Sequence, residues 1–342
     1  MITASARQQF TKAALLGTGA DRITLGSSQI FCLLQIAIND LGWTSTEVGL
    51  ASDIAIPDAN YYQISLDWFD SFKEAPSLKS LLDSFQKALD KNSDFGLYFR
   101  NLCSLHKRRL KYQTILRTQP RPTMDQIGPR GLLEFGLNNT DMLSSWIIWR
   151  KWIYDIDNRS AQETGYLFEP ILASCLGGET INASKSPVKR IGIDGMPSEG
   201  SRQIDCYVAD DNSAYEFKLR VTVAASGQGR FSEELSFPKE CQAAGLRPIL
   251  LVLDPTSSHR LVNLKKAFID AQGEAHIGDE AWQHIEARAG ELITVFIEKY
   301  LKVPLLSISS SEPSYPAEIN LVWNEQSIII SDGQSEYKIR RH

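Results

Sequence analysis

The stretch from Pro248 to Asp254 (PILLVLD) constrains the fold more than any other part of the sequence. It is a continuous apolar run followed by Pro255, which is typical of a β-strand buried on both faces. A strand of this kind is covered by other elements on each side of its sheet. A chain of 342 residues is long enough to provide them. The run therefore predicts an α/β core.

A β-hairpin is predicted over Gln203–Arg220, which reads QIDCYVADDNSAYEFKLR. Ile204–Val208 has the composition of one strand, and Ala214–Leu219 has that of a second. The four residues Asp210–Ser213 between them are of the types that turns select. The two strands are therefore expected to pair as neighbours in the sheet.

Three charged residues lie in this hairpin among residues typical of core strands. Glu216 and Lys218 are two apart and share a face of their strand, and Asp205 on the partner strand can join them. Carboxylates on rigid strands suit a magnesium ion that must keep open positions for water and a phosphate. Lys218 would orient the nucleophile, lower its pKa, or neutralise charge. The alternative is a surface hairpin with a salt-bridged glutamate and lysine.

Elements on both sides of the hairpin extend the α/β pattern. A helix is predicted over 162–176, with Glu169 either on its wet edge or turned towards a metal, and a strand over 187–194. A helix at 231–244 precedes the buried strand, and two helices at about 259–272 and 279–301 follow it. A mixed sheet flanked by helices is the expected packing.

This pattern resembles the PD-(D/E)XK nuclease superfamily, and within it the type II restriction endonucleases. In the resemblance Asp205 is the invariant acid, Glu216 and Lys218 form the E-x-K pair, and Glu169 is the accessory acid. Ile204 stands where the family usually has proline, which is a tolerated change. The likeness covers roughly residues 160–255. It implies hydrolysis of double-stranded DNA with Mg²⁺, and a cognate DNA methyltransferase in the same system.

Three regions are predicted along the chain. Residues 1–125 form a mostly helical region for dimerisation, DNA contact or both, and 126–303 form the catalytic domain. A linker and a short β tail make up 304–342. The proline-containing stretch 118–130 is interpreted as a linker or ordered loop, and a tryptophan-rich helix is predicted at 141–153.

Several basic or amide side chains are candidates for DNA contact. Gln228 and Arg230 lie in a loop that leads into a helix, and such side chains read bases in the major groove; a plain helix-entry loop is the alternative. The remaining candidates are Arg220, Lys189, Arg190, Arg108 and Arg109. For the cluster at 106–111 (HKRRLK), a solvated helix face is an equal alternative to phosphate contact.

Composition excludes some functions and leaves others open. The net charge of −5 gives no general attraction to DNA, so a DNA-binding surface must be local. No apolar run approaches a membrane span, and no signal peptide is evident. Five scattered cysteines indicate free thiols in a reducing cytoplasm. Five histidines without a motif make a zinc site improbable.

The resulting hypothesis is a sequence-specific type II endonuclease, expected to be a homodimer because two-fold DNA sites suit two-fold proteins. A structure-selective or modification-dependent nuclease of repair or defence would share the same fold. A non-catalytic DNA-binding protein is the third alternative, and the intact Asp205, Glu216 and Lys218 count against it.

Overall fold

The computed structural model describes most of the chain. The described residues are 2–15, 23–50, 53–136, 147–192, 196–218, 228–254, 257–310 and 319–341. Their strands are β1 Glu179–Ile181, β2 Lys189–Ile191, β3 Pro197–Ser201, β4 Ile204–Val208, β5 Ser213–Lys218, β6 Arg247–Val252, β7 Glu274–Ile277, β8 Asn320–Trp323, β9 Ser327–Ser331 and β10 Glu336–Arg340.

Helices precede, interrupt and follow these strands. They are α1 Ala4–Phe10, α2 Ser27–Asp40, α3 Ser45–Val48, α4 Leu66–Asp70, α5 Leu78–Lys91, α6 Phe95–Thr118, α7 Met124–Phe135, α8 Ile148–Cys175, α9 Gln228–Ala243, α10 His259–Asp270, α11 Asp279–Arg288, α12 Glu291–Ile297 and α13 Val303–Ser309. The helical N-terminal region and the short β tail that the sequence predicts are both present.

The central sheet has the strand order β1-β4-β5-β6-β7. The pairs β1–β4 and β4–β5 are antiparallel, whereas β5–β6 and β6–β7 are parallel. Strand β6 is buried from Pro248 to Val252, as its apolar run predicts. The mixed sheet flanked by helices confirms the α/β fold class.

The two faces of the sheet belong to different hydrophobic clusters. Tyr215, Phe217 and Leu251 pack into a large cluster that also contains residues of the N-terminal helices. Leu250 and Val252 point to the other face, where they join residues of α9 and α10. Alternation along the strands separates these two sets, and it also decides on which face each charged side chain lies.

The N-terminal helices share the core of the central sheet. Phe10 and Phe99 belong to the same cluster as Tyr215 and Ile249. Tyr62 on the N-terminal side donates a hydrogen bond to the carbonyl oxygen of Tyr300 at 2.7 Å. The helical region is therefore packed directly onto the sheet, and its treatment as a separate region remains a prediction.

Two loop predictions are wrong. The stretch predicted as a linker or loop at 118–130 contains the start of α7, which holds Pro129 in its interior. A helix can accept a proline there at the cost of one backbone hydrogen bond, so proline content alone did not reveal it. Part of the linker predicted at 304–316 is also helical, since α13 runs over Val303–Ser309. The chain runs helically from α12 through a π-helical turn at Glu298–Lys302 into α13, and the proline of α13 lies just after that turn.

The helix and strand boundaries need two further corrections. A single helix, α8, runs through the gap between the helices predicted at 141–153 and 162–176, since no strong breaker lies between them. The sequence did not predict strand β7. Its segment, Glu274–Ile277, falls between two predicted helices, and the four residues EAHI are too few and too mixed in character to show a strand pattern.

The tryptophans of α8 pack into a core. Trp149 and Trp152 lie 5.3 and 5.1 Å from Trp323 of β8, measured between ring centroids. Ile115 of α6 and Ile328 of β9 belong to the same cluster. Trp149 and Trp152 therefore pack into a core, as an aromatic stripe at three-residue spacing usually does, and the third tryptophan of the stripe, Trp146, lies outside the described part of the chain. The cluster fixes the C-terminal sheet β8–β10 against α6 and α8.

All five cysteines are buried free thiols, as their apolar neighbours predict. In the described ranges no helix combines the length and the apolar character that a membrane span requires.

His106 is expected to make the protein less stable in mild acid. Its side chain is fully buried, and its Nδ1 lies 3.1 Å from the Tyr61 hydroxyl. Burial, with a smaller contribution from Arg109, lowers the pKa of His106 to about 3. The unfolded chain binds a proton below about pH 6.5 that the folded chain excludes. His106 therefore costs the fold no stability above about pH 6.5, and it lowers the free energy of unfolding increasingly as the pH drops towards 3.

Urea unfolding at pH 7 and pH 5 measures this effect. We expect the wild type to lose about 2 kcal/mol more than His106→Phe between the two pH values. The variant loses the contact with Tyr61 at both pH values, so the difference isolates protonation. Equal losses in the two proteins would contradict the assignment.

Candidate active site

The hairpin β4–β5 places Asp205 beside the second strand. The ladder between the strands includes Cys206 opposite Tyr215. Asp205 directly precedes Cys206, and its Oδ2 accepts a hydrogen bond from the backbone N–H of Phe217 at 2.9 Å. The carboxylate is therefore held against the strand segment that carries Glu216 and Lys218.

Lys218 lies between two carboxylates. Its Nζ donates to Oε1 of Glu216 at 2.7 Å and to Oε1 of Glu234 at 3.1 Å. The side chains of all three residues are 17–18% exposed, so this group is shielded but reachable. Glu216 and Lys218 share a face, as their spacing predicts, and this face is the one covered by α9.

Negative charge is concentrated at this point of the sheet. Burial raises the pKa of Asp205 well above its usual value, and Glu216 and Glu169 raise it further. The pKa of Glu169 is raised by burial and then by Glu216, with Lys218 opposing. Burial works against the charge of Lys218, but Glu216 and Glu234 outweigh it, so the lysine pKa is raised. The site thus holds more anionic groups than one ammonium balances.

Glu234 was missed by the sequence analysis. It lies on α9 one turn before Phe237, which is buried against the sheet together with Cys241. Positions 234, 237 and 241 share one face of a helix. An acidic residue on this otherwise apolar face is the sequence pattern that could have identified Glu234. Oε2 of Glu234 is buried and has no hydrogen-bond partner among the described residues.

Glu169 lies on α8, where it influences the pKa of Asp205. The side chain packs over Gly165, one turn earlier: a Cβ added to Gly165 would lie 3.0 Å from Oε1 of Glu169. Such a contact is tight, so the carboxylate would have to shift by a few tenths of an ångström. Glycine at 165 therefore leaves room for this placement of Glu169.

Gly165→Ala is expected to lower cleavage activity by about 10-fold through displacement of the Glu169 carboxylate. The free energy of unfolding should stay equal or rise, because alanine favours a helix by about 0.8–1.0 kcal/mol over glycine. If the effect passes through Glu169, Gly165→Ala should cause no further loss in a Glu169→Gln background. Independent, additive losses in the double variant would refute this connection.

The predicted DNA contacts on β2 lie near α9. Lys189 is exposed, and its Nζ donates to Oγ of Ser201 at 3.0 Å. Arg190 forms an ion pair with Glu233 at 3.2 Å. Both side chains lie at the surface, and their role in DNA contact stays a prediction.

The cluster at 106–111 is more buried than a solvated helix face. Lys107 and Lys111 are buried, and Nζ of Lys107 donates to the carbonyl oxygen of Ala13 at 2.6 Å. Arg109 donates to the carbonyl oxygens of residues 61, 62 and 64. Arg108 donates to Oγ of Ser160 at 3.0 Å. These cations therefore hold helices and loops together. The solvated-face interpretation is wrong for Lys107 and Lys111, and DNA contact by Arg108 and Arg109 remains a prediction.

The backbones of Gln228 and Arg230 form the first turn of α9, so the loop predicted for these two residues is wrong. Arg220 and the side chains of Gln228 and Arg230 lie outside the described residues. Their assignment to DNA stays a prediction from the sequence.

The structure has a mixed sheet, helices on both of its faces and a hairpin that carries acidic residues. This is the architecture expected of PD-(D/E)XK nucleases. Fold and site together point to the class of type II restriction endonucleases. Comparison with known proteins agrees. The profile of the ApaLI-like restriction endonuclease family matches residues 53–302. The chain is 41% identical to the type II restriction enzyme ApaLI of Acetobacter pasteurianus over 343 residues, which covers 98% of this chain and 89% of that enzyme.

This protein belongs to the ApaLI-like restriction endonuclease family. It is accordingly an endodeoxyribonuclease that acts on double-stranded DNA. No solved structure shows significant similarity to it.

The residues at the hairpin fit the divalent metal that restriction endonucleases generally use. Asp205, Glu216 and Glu169 are hard oxygen donors, which Mg²⁺ and Ca²⁺ prefer. Burial and then repulsion by Glu216 and Glu169 raise the pKa of Asp205, and a dication between the carboxylates would relieve the repulsion. The donor set is thus suited to a divalent cation.

Proposed function

We propose that Asp205 and Glu216 hold Mg²⁺ for the hydrolysis of DNA phosphodiester bonds. The observation that carries this proposal is the fixed position of the Asp205 carboxylate at the Phe217 N–H, next to the Glu216–Lys218 pair. When bound, Mg²⁺ supplies charge compensation on the phosphate and a more acidic water. The backbone carbonyl of Phe217 offers a further oxygen ligand of the same kind.

Lys218 is assigned to the phosphate and the attacking water. Its ammonium stays charged at neutral pH, since the carboxylates around it raise its pKa. A charged lysine stabilises developing negative charge and orients the nucleophile, whereas it is a poor general base. Of the three roles open from the sequence, charge stabilisation and orientation are therefore favoured.

Glu169 and Glu234 are assigned to the surroundings of this centre. Glu169 would contact the metal directly or through a bound water, since its pKa responds to Glu216 and Lys218. Glu234 would position Lys218, because Oε1 of Glu234 accepts a hydrogen bond from Nζ of Lys218 at 3.1 Å. The Glu169 assignment follows from its electrostatic interaction with the Glu216–Lys218 pair, and the Glu234 assignment follows from its distance to Lys218.

The finer biological features are proposed from the class. The enzyme would act as a homodimer on a two-fold DNA site, beside a cognate DNA methyltransferase, in the cytoplasm. Residues 1–125 would serve dimerisation or DNA contact, 126–303 would carry catalysis, and 304–342 would be an accessory tail. The DNA contacts would come from Arg220, Gln228, Arg230, Lys189, Arg190, Arg108 and Arg109.

Digestion of unmodified plasmid DNA of known sequence tests the proposal. With Mg²⁺ we expect discrete fragments whose ends share one short sequence, and with EDTA no fragments. Cleavage of methylated or branched DNA with unmodified duplex left intact would indicate a modification-dependent or structure-selective nuclease instead. Binding to duplex DNA without cleavage in any divalent metal would indicate a non-catalytic DNA-binding protein.

A further inference from the structure

A second group of metal-ligand side chains lies at the outer edge of the central sheet. Glu274 and His276 are two apart on edge strand β7, and His284 lies on α11. One ligand atom from each residue lies within 4.8 Å of the others. Oε2 of Glu274 is 3.0 Å from Nε2 of His276, and the imidazole centroids of the two histidines are 4.3 Å apart. Two of the five histidines, which show no motif in the sequence, are thus brought together by the fold.

This group is separate from the active site. His276 is paired with Leu251, which is paired with Phe217, so all three share a face of the sheet. Glu216 is paired with Leu250, whose side chain packs on the opposite face. The sheet therefore lies between the histidines and the Glu216–Lys218 pair.

The donor set and its spacing suit a transition metal better than Mg²⁺. Two imidazoles and one carboxylate form a three-ligand set that binds Zn²⁺, with a fourth position for water. Tetrahedral bonds of about 2.0–2.2 Å require ligand atoms roughly 3.3 Å apart. The contact of 3.0 Å between Glu274 and His276 is close to that value. Small side-chain movements would bring the three ligands around one ion.

Neighbouring residues already hold two of the ligands in place. The Tyr215 hydroxyl lies 3.1 Å from Nε2 of His284, and ligand histidines commonly use one ring nitrogen for such a contact. Arg247 donates to Oε1 of Glu274 at 3.0 Å, which leaves Oε2 turned towards His276. Asp211 also pairs with Arg247 and offsets part of its charge. All three ligands are half-buried, so an ion can reach them.

We propose that Glu274, His276 and His284 form a binding site for a zinc-class dication that joins edge strand β7 to α11. The alternative is that Glu274 serves only the ion pair with Arg247 and the hydrogen bond with His276. In that case the parent protein would bind zinc only weakly. The proposed site is structural, because the sheet separates it from the cleavage centre.

Zinc binding to the full-length protein distinguishes the two interpretations. Tag-free protein stripped with EDTA is titrated with ZnCl₂ against a competing chelator, in an Asp205→Asn background that weakens the catalytic carboxylates. We expect one tight equivalent of zinc, a higher unfolding temperature with zinc, and an X-ray absorption edge spectrum with imidazole ligands. Glu274→Gln and His276→Ala should each lower zinc affinity about 100-fold or more, since even outer-shell changes cost 10–100-fold.

His259→Ala is the matched control, because His259 is exposed on α10 and outside the cluster. It should bind zinc as tightly as the parent protein. Unfolding curves in EDTA verify that Glu274→Gln and His276→Ala are folded. The proposal is overturned if the parent protein binds no stoichiometric zinc, or if both ligand variants bind it with unchanged affinity.

Discussion

Lys218→Ala is expected to reduce DNA cleavage by about 10³-fold while DNA binding is retained. Lys218 contacts Glu216 and Glu234 at the hairpin, at 2.7 and 3.1 Å. Its loss removes the ammonium that would stabilise charge on the phosphate and orient the water. Metal binding should persist, because the carboxylates of Asp205 and Glu216 are untouched. Single-turnover cleavage in Mg²⁺ and binding in Ca²⁺ measure the two effects separately.

Lys239→Ala provides the matched control for this variant. Lys239 lies on α9 like Glu234, but it is exposed. Its replacement should change neither cleavage nor binding. Lys218→Arg keeps the charge but alters its shape and reach, so it should recover only part of the activity. Full activity in Lys218→Ala would remove the lysine from the mechanism.

Asp205→Asn is expected to abolish metal-dependent cleavage and, in EDTA, to stabilise the fold. Burial, Glu216 and Glu169 raise the pKa of Asp205, so its ionised form at neutral pH is disfavoured in the folded state. Removing that charge should raise the unfolding temperature in EDTA by roughly 1–2 °C, which for a chain of this length corresponds to about 1 kcal/mol. The asparagine oxygen can still accept the hydrogen bond from Phe217.

The same measurement with Mg²⁺ tests the metal assignment. Mg²⁺ should raise the unfolding temperature of the wild type, because a ligand stabilises the state that binds it. The rise should be much smaller in Asp205→Asn. Asp210→Asn is the control, since Asp210 is an exposed residue in the turn of the same hairpin. A loss of stability in EDTA, or an undiminished Mg²⁺ effect, would show that Asp205 is a structural residue.

The sequence predicted the centre of the fold well, because period-two patterns and apolar runs report local geometry. The buried strand predicted at 248–254 formed as β6, Arg247–Val252, and the hairpin carrying Asp205 formed as predicted. Shared strand faces placed Glu216 beside Lys218. These contacts depend only on neighbouring residues and on one tight turn.

Contacts between distant elements could not be read in the same way. Glu234 reaches Lys218 because α9 folds back over the sheet, and His284 meets His276 because α11 packs beside an edge strand too short to predict. From the sequence, the basic cluster at 106–111 could face either solvent or DNA. Lys107 of this cluster is buried against Ala13, and this contact depends on how the N-terminal helices pack together.

The most direct test of the central claim is the position of Mn²⁺ in crystals of the protein, located by anomalous diffraction. Mn²⁺ reports an oxygen site of the Mg²⁺ kind. We predict an anomalous peak between the carboxylates of Asp205 and Glu216, on the sheet face covered by α9, and its loss in Asp205→Asn. Crystals saturated with Mn²⁺ that show no peak between these carboxylates would contradict the account.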